Sequence, residues 1–152
     1  MTTDLAETIR RAALALLARR DYSTQVLFQK LMMKHHAKEI VETVLQQLTA
    51  SGYLSDLRFA EHYIHAKYKK GHGPLRIKFE LQQQGISQEM IAEALKITDN
   101  AADDWLATAR SLLQKHFKGK RPKDFREKAK QMRFLQYRGF TAEQIAAVLG
   151  KE

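Results

Sequence analysis

The chain has 152 residues, 44% hydrophobic and 28% charged, with 26 Lys and Arg against 17 Asp and Glu for a net charge of +9. This length favours a single body with a sizeable core. The lack of cysteine excludes a disulfide framework and a thiolate zinc site, and suits a reducing cytoplasm.

In chain order, the first predicted helix runs from Ala6 to Arg20. Its apolar run, Ala12 to Ala18, is flanked by Arg10, Arg11, Arg19 and Arg20. A secretory signal needs a longer apolar region with a cleavable end, and a membrane span needs about 20 apolar residues. The run suits neither, so an intracellular protein without a membrane partner is expected. A second helical pattern extends from Asp56 to Lys70. Phe59, Ala60, Tyr63, Ile64 and Ala66 form its expected inward stripe, and Arg58, His62, His65 and Lys69 recur on the opposite face.

The next stretch, KKGHGPLRIKFELQQQGIS from Lys69 to Ser87, carries conflicting signals. LRIKFEL alternates apolar and charged residues, which is the period of a half-buried strand. Gly73-Pro74, however, is a good helix entry, because proline at the first helical position forfeits no hydrogen bond. Self-comparison decides the matter. LMMKHHAKEIVETVL (Leu31 to Leu45), LQQQGISQEMIAEAL (Leu81 to Leu95) and LQYRGFTAEQIAAVL (Leu135 to Leu149) align without gaps. Leucine opens and closes all three, Gly85 meets Gly139, and Val41 meets Ile91 and Ile145. In this register Ile77 and Leu81 match Leu27 and Leu31, so the alternation is incidental and a helix is predicted. Leu75 and Phe79 lie on another face, as in a helix wedged between its own unit and a neighbour.

Gly85 and Gly139 stand where the second helix of a unit must stop in a left-handed turn. Ser87 and Thr141 then offer N-cap oxygens, and Thr141 with Gln144 fits a capping box. The first unit has His35, His36 and Ala37 at these places, so a differently shaped turn is expected there. A last leading helix, Ala101 to Phe117, completes the third unit. The chain thus reads as all-α: three tandem three-helix repeats, 1–54, 55–100 and 101–152, forming an elongated, curved helical body. One unit of about 50 residues is marginal alone, whereas stacked units share interfaces.

GYLSDLRFAEHYIHAKYKKGHGPLRIKFELQQQGI, Gly52 to Ile86, closely resembles the RecX regulatory proteins, modulators of the RecA recombinase. The matching residues include Gly52-Tyr53-Leu54, Asp56, Arg58-Phe59-Ala60, Gly73-Pro74, Glu80-Leu81 and Gly85-Ile86. RFLQYRGFTAEQI, Arg133 to Ile145, is similar to the family's C-terminal signature. Two departures stand out: Ser55 replaces an acidic residue common in the family, and the first unit lacks the turn glycine. The resemblance implies a non-enzymatic regulator with tandem three-helix repeats; no cofactor and a monomeric state are expected. Such a protein binds the RecA–single-stranded DNA filament, lies in its groove and limits its growth or activity.

Two surfaces are candidates for that contact. The first is the α-helical face of Arg58, His62, His65 and Lys69, joined by Lys67, Lys70, Arg76 and Lys78. The second lies between Arg110 and Arg138, where 11 basic residues face only Asp124 and Glu127. It comprises Lys115, Lys118, Lys120, Arg121, Lys123, Arg126, Lys130, Arg133 and Arg138, suited as point charges to phosphates. The interleaved Phe117, Phe125, Phe134 and Tyr137 are expected in the core rather than stacked on bases. His62 and His65 make half a metal site without further ligands. No nucleophile, phosphate-cradling loop or convergent acidic pair marks a catalytic site. A non-specific nucleic-acid-binding helical protein is the alternative reading. The apolar and acidic third helices SQEMIAEALK and TAEQIAAVLG argue against base-specific readout.

Overall fold

The computed structural model describes the backbone of residues 2–99 and 102–150, and the side chains of residues 4–96 and 105–150. Among these residues there are nine helices and no strand. Unit 1 holds α1 (Thr2–Arg19), α2 (Thr24–His35) and α3 (Lys38–Ala50). Unit 2 holds α4 (Asp56–Lys69), α5 (Pro74–Gln83) and α6 (Gln88–Asp99). Unit 3 holds α7 (Ala102–Phe117), α8 (Phe125–Arg138) and α9 (Ala142–Leu149); Ala101, the first residue of its predicted leading helix, lies outside the described residues.

Local chemistry sets the helix ends. Ser23, Ser55 and Asp124 each accept a hydrogen bond from the amide three residues on, at 3.2, 3.1 and 2.9 Å. Ser55 therefore does for α4 what an acidic cap would do. Proline opens α5 behind Gly73, and LRIKFEL is helical as its repeat register requires. Thr141 and Gln144 form the capping box at α9. Gly85 (φ +85°) and Gly139 (φ +98°) end α5 and α8, and the amides of Ile86 and Phe140 reach back to Leu81 and Leu135 carbonyls. In unit 1 the helix runs one residue further. His36 takes the left-handed turn at φ 50°, with a single bond from its amide to the Met32 carbonyl.

The units join through one repeated joint. The N-terminus of α2 abuts the C-terminal end of α5, where Ser23 Oγ donates to the Gln84 carbonyl at 2.7 Å. The N-terminus of α5 abuts the end of α8 in the same way, with the Gly73 amide donating to the Arg138 carbonyl at 2.7 Å. Ser23 and Gly73 are equivalent in the repeat, as are Gln84 and Arg138. The second helices therefore follow one another head to tail: α8, α5, α2. A Cβ on Gly85 would collide with Gln25, and one on Gly139 would collide with Arg76. Each turn glycine is thus needed twice, for its positive φ and for this approach.

The core is divided unequally. Ile9, Leu27, Leu31, Val41, Val44, Leu48 and Leu54 belong to a cluster confined to unit 1. A second cluster runs without a break through units 2 and 3, from Phe59, Ile64, Ile77 and Leu81 to Trp105, Leu135, Phe140 and Ile145. Trp105 meets the edge of Tyr68 with ring centroids 5.0 Å apart, tying α7 to α4. The accessible surface is 10319 Å². A compact monomer of 17.5 kDa would expose only about 7,900 Å², so the body is elongated.

Two expectations of side-chain placement need correction. Ala66 is exposed on α4, and the half-buried Tyr68 takes its place in the inward stripe. Leu75 and Phe79 are 52% and 58% exposed, so the second apolar face of α5 is open. The helix does meet its neighbours, but at its ends, and an end-on joint leaves its outer side uncovered.

Candidate protein and nucleic-acid interface

Arg58, His62, His65 and Lys69 are all exposed along one side of α4, as their spacing requires. They divide by role. The Arg58 guanidinium donates to the Gly52 and Tyr53 carbonyls, both at 3.1 Å, and so fixes the turn that closes unit 1. His62 Nδ1 lies 2.7 Å from Asp21 Oδ2, across the joint between units 1 and 2. His65, Lys69, Lys70 and Lys78 have no side-chain partner among the described residues and are free for a ligand. No group of three or more His, Cys, Asp or Glu that can hold a metal exists among the described residues.

Lys67, Arg76 and Arg138 converge where unit 2 meets unit 3. Lys67 sits over the Tyr63 ring and Arg138 over the Phe134 ring, at 5.4 and 5.3 Å. Arg76 pairs with Glu80 at 3.6 Å, and the Tyr63 hydroxyl donates to the same carboxylate at 3.0 Å. Burial, reinforced by the bond to Glu80, pushes the Tyr63 phenol up to about 12. His72 sits in the midst of these groups. Burial first, then Arg76, Lys67 and Arg138, lower its pKa against the opposing pull of Glu80.

Around this cluster the surface is apolar. Leu75, Phe79 and Tyr137 are exposed by 52%, 58% and 81%. The Leu75 amide donates to the Gly139 carbonyl at 2.8 Å, and the Arg76 guanidinium lies 6.0 Å from the Tyr137 ring centre. Exposed apolar side chains thus stand on α5 and on the last turn of α8, two elements joined by the Leu75–Gly139 bond and the approach of Arg76 to Tyr137. A buried aromatic centre with a charged rim is the usual anatomy of a protein contact. The repeat register shows that the patch is local, since unit 1 has Gln25 and Gln29 where unit 2 has Leu75 and Phe79.

The second predicted surface gathers around the loop between α7 and α8. Lys115, Lys118, Lys120, Arg121, Lys123, Arg126, Lys130 and Arg133 are exposed or half-buried, and none forms an ion pair among the described residues. Of the four rings expected in the core, Phe117 and Phe134 are half-buried and pack edge to face at 5.5 Å. Phe125 and Tyr137, at 92% and 81% exposed, are not core residues. Phe125, at the start of α8, borders an open cleft that it shares with Ile145 and Leu149, and Tyr137 stands on the last turn of α8 near Arg76.

Three features escape sequence reasoning. Asp56 Oδ1 accepts from both the amide and the hydroxyl of Thr24, at 2.8 and 3.0 Å, clasping unit 2 to unit 1. No local pattern signals a bond between residues 32 apart. The apolar patch on α5 has the spacing of a buried face, so nothing in the sequence marks it as open. Gln131 is buried, although the repeat places it opposite the aliphatic Leu27 and Ile77; that mismatch is the available signal.

Comparison with known proteins covers all three units. Residues 10–48, 55–95 and 102–149 match the family models for the first, second and third three-helix domains of RecX. The chain is 42% identical over 142 residues to "Regulatory protein RecX" of Halorhodospira halophila, covering 93% of this chain and 86% of that one. It is 38% identical over 146 residues to the protein of that name from Pseudomonas fluorescens, covering 96% and 92%. In fold it is similar to the crystal structure of RecX from Lactobacillus salivarius, with a TM-score of 0.82, 20% identity, and 97% and 96% of the two chains covered.

Proposed function

The chain belongs to the RecX family, and from that premise we propose that it binds the RecA–single-stranded DNA filament and restrains the recombinase. In this reading it regulates recombination and DNA repair in the cytoplasm as a monomer and without catalysis. The observation that carries it is the head-to-tail row of second helices. A linear array of similar units suits a polymer of identical subunits, because successive modules engage successive sites and linkage raises the local concentration for each. The patch of Leu75, Phe79 and Tyr137 then supplies the desolvated centre of the contact. The unpaired lysines and arginines supply steering toward an acidic partner and a salt-dependent on-rate. Among the described residues no helix is long and apolar enough to cross a membrane.

The test is the ATPase activity of RecA on single-stranded DNA, followed with strand exchange, in the presence of this protein. We expect the wild type to depress both. Phe79→Glu with Tyr137→Glu should weaken that effect about 10-fold or more, as expected when two exposed aromatic anchors are removed. Unaltered ATPase and strand exchange with the wild type would overturn the reading. Full inhibition by the double variant would exclude the patch from the interface.

A further inference from the structure

The groove between α8 and α9 has changed character relative to its counterpart in unit 1. Phe125, Ala129 and Met132 follow one another along α8 at helical spacing, and Ala142, Ala146 and Leu149 do so along α9. With Ile145 buried at the floor, they line an open cleft of about 370 Å³. Unit 1 has the same groove between α2 and α3. In the repeat register, Asp21, Gln25, Lys38 and Glu42 stand there in place of Phe125, Ala129, Ala142 and Ala146. Four polar side chains have become apolar at positions that are still wholly or partly open to solvent.

The other units show what this side of the repeat meets. Asp56 and Gly85 of unit 2 border the groove of unit 1. Just ahead of α2, Asp21 meets His62 on α4, the leading helix of the next unit. Just ahead of α5, Gly71 lies so near α7 that a Cβ would come within 3.1 Å of Leu112. Phe125 holds the corresponding register position in unit 3, drawn into α8 because that helix starts a turn earlier. Among the described residues no further helix follows α9, and Phe125 is 92% exposed.

The border of the cleft is charged on one side. Arg126 and Arg133, each one residue beyond Phe125 and Met132, are exposed along the outer edge of α8, and Lys128 lines the cleft itself. Neither arginine forms an ion pair among the described residues. The carboxylates of Asp124 and Glu127 accept amide hydrogen bonds at the start of α8. The α9 side instead carries the exposed Glu143 and the carbonyl end of its helix, so it disfavours anions. We propose that this cleft docks an amphipathic helix of a second protein, one with an aliphatic stripe and with acidic residues on the flank that faces α8. Phe125 to Gln136 spans about 16 Å at about 1.5 Å per residue, room for about three turns with anchors at i, i+4 and i+7. The net charge of +9 and the arginine border count against a second copy of this chain as the occupant. Tyr137 lies five residues beyond Met132, about 140° around α8, so the cleft is separate from the proposed filament contact.

The experiment titrates the intact, isotope-labelled protein with a synthetic amphipathic peptide of about 14 residues, leucine at i, i+4 and i+7 and glutamate on one flank, and follows amide chemical shifts. It uses no recombinase, so it is decided apart from the filament reading. We expect saturable shifts concentrated at Ala129, Met132, Ala146 and Leu149. Ala146→Glu restores the residue of unit 1 at a partly exposed helical position and should weaken binding about 10-fold or more at an unchanged melting temperature. Arg126→Gln with Arg133→Gln should weaken the glutamate-flanked peptide about 3- to 10-fold and leave a glutamine-flanked one bound as before. Absence of shifts in the cleft, equal binding of a lysine-flanked peptide, or wild-type affinity in Ala146→Glu would each overturn the proposal. Self-association in sedimentation that Ala146→Glu abolishes would also overturn it, assigning the cleft to a second copy. Ala146→Glu should depress the RecA ATPase as the wild type does; a selective loss of that effect would make the cleft part of the filament contact and overturn the separate site. If Ala146→Glu lowers the melting temperature, Phe125→Asp, the unit 1 residue at a fully exposed position, decides in its place.

Discussion

Gly139 carries two demands at once, and its substitution should show both. A β-branched residue resists the left-handed conformation at φ +98°, at a cost of about 1–2 kcal/mol for ordinary side chains. It would also collide with Arg76 across the joint. Gly139→Val should therefore destabilise the protein by about 2–4 kcal/mol in urea unfolding, and an unchanged midpoint would refute the joint described above. His72 makes a second residue-level case. Its lowered pKa means that the unfolded chain takes up a proton first as pH falls through its ordinary value of about 6.5. Stability from this residue is then constant above that pH and declines below it, until the folded ring also protonates. Urea midpoints should fall between about pH 7.5 and 5, and His72→Gln should flatten that part of the profile. The turn glycines were legible in the sequence because left-handed stops have few alternatives. The environment of His72 was not, since Lys67, Glu80 and Arg138 come from three different helices.

At the scale of the element, α5 shows where pattern reading succeeds and where it stops. Its entry at Gly73-Pro74 and its exit at Gly85 are written locally, and both stand in the structure. Burial of Ile77 and Leu81 also followed from the register. The exposure of Leu75 and Phe79 did not, because amphipathic spacing tells which residues share a face and not whether anything covers it. This exposure is what separates binding from stability in the proposed test. Phe79→Glu removes an apolar side chain already in water, so the variant should melt as the wild type does while losing its effect on the filament. A drop in melting temperature would instead mean that the α5 outer face is part of the core. The α7–α8 loop is the opposite case. Its charge was obvious, whereas its fixed shape depends on Gln131, eleven residues beyond Lys120.

The whole molecule is three units in sequence but two in packing. Units 2 and 3 share one apolar cluster, while unit 1 keeps its own. Leu27→Ala, costing about 2–5 kcal/mol at a fully buried site, should speed amide hydrogen exchange across α1–α3 and leave α7–α9 protected. Uniform loss of protection along the chain would show a single cooperative core instead. The threefold repeat was readable because each copy repeats its own punctuation. The unequal joints were hidden in substitutions such as Ser23 for Gly73, which keep the geometry and change the chemistry. That inequality has a mechanical side. Under tension applied along its length, the molecule carries the load between units 2 and 3 through paired backbone amides and a shared apolar interior. Between units 1 and 2 the same load falls on Ser23, Thr24, Asp56 and His62. The first break under force belongs there, releasing unit 1 as a tethered end without its neighbour's interface.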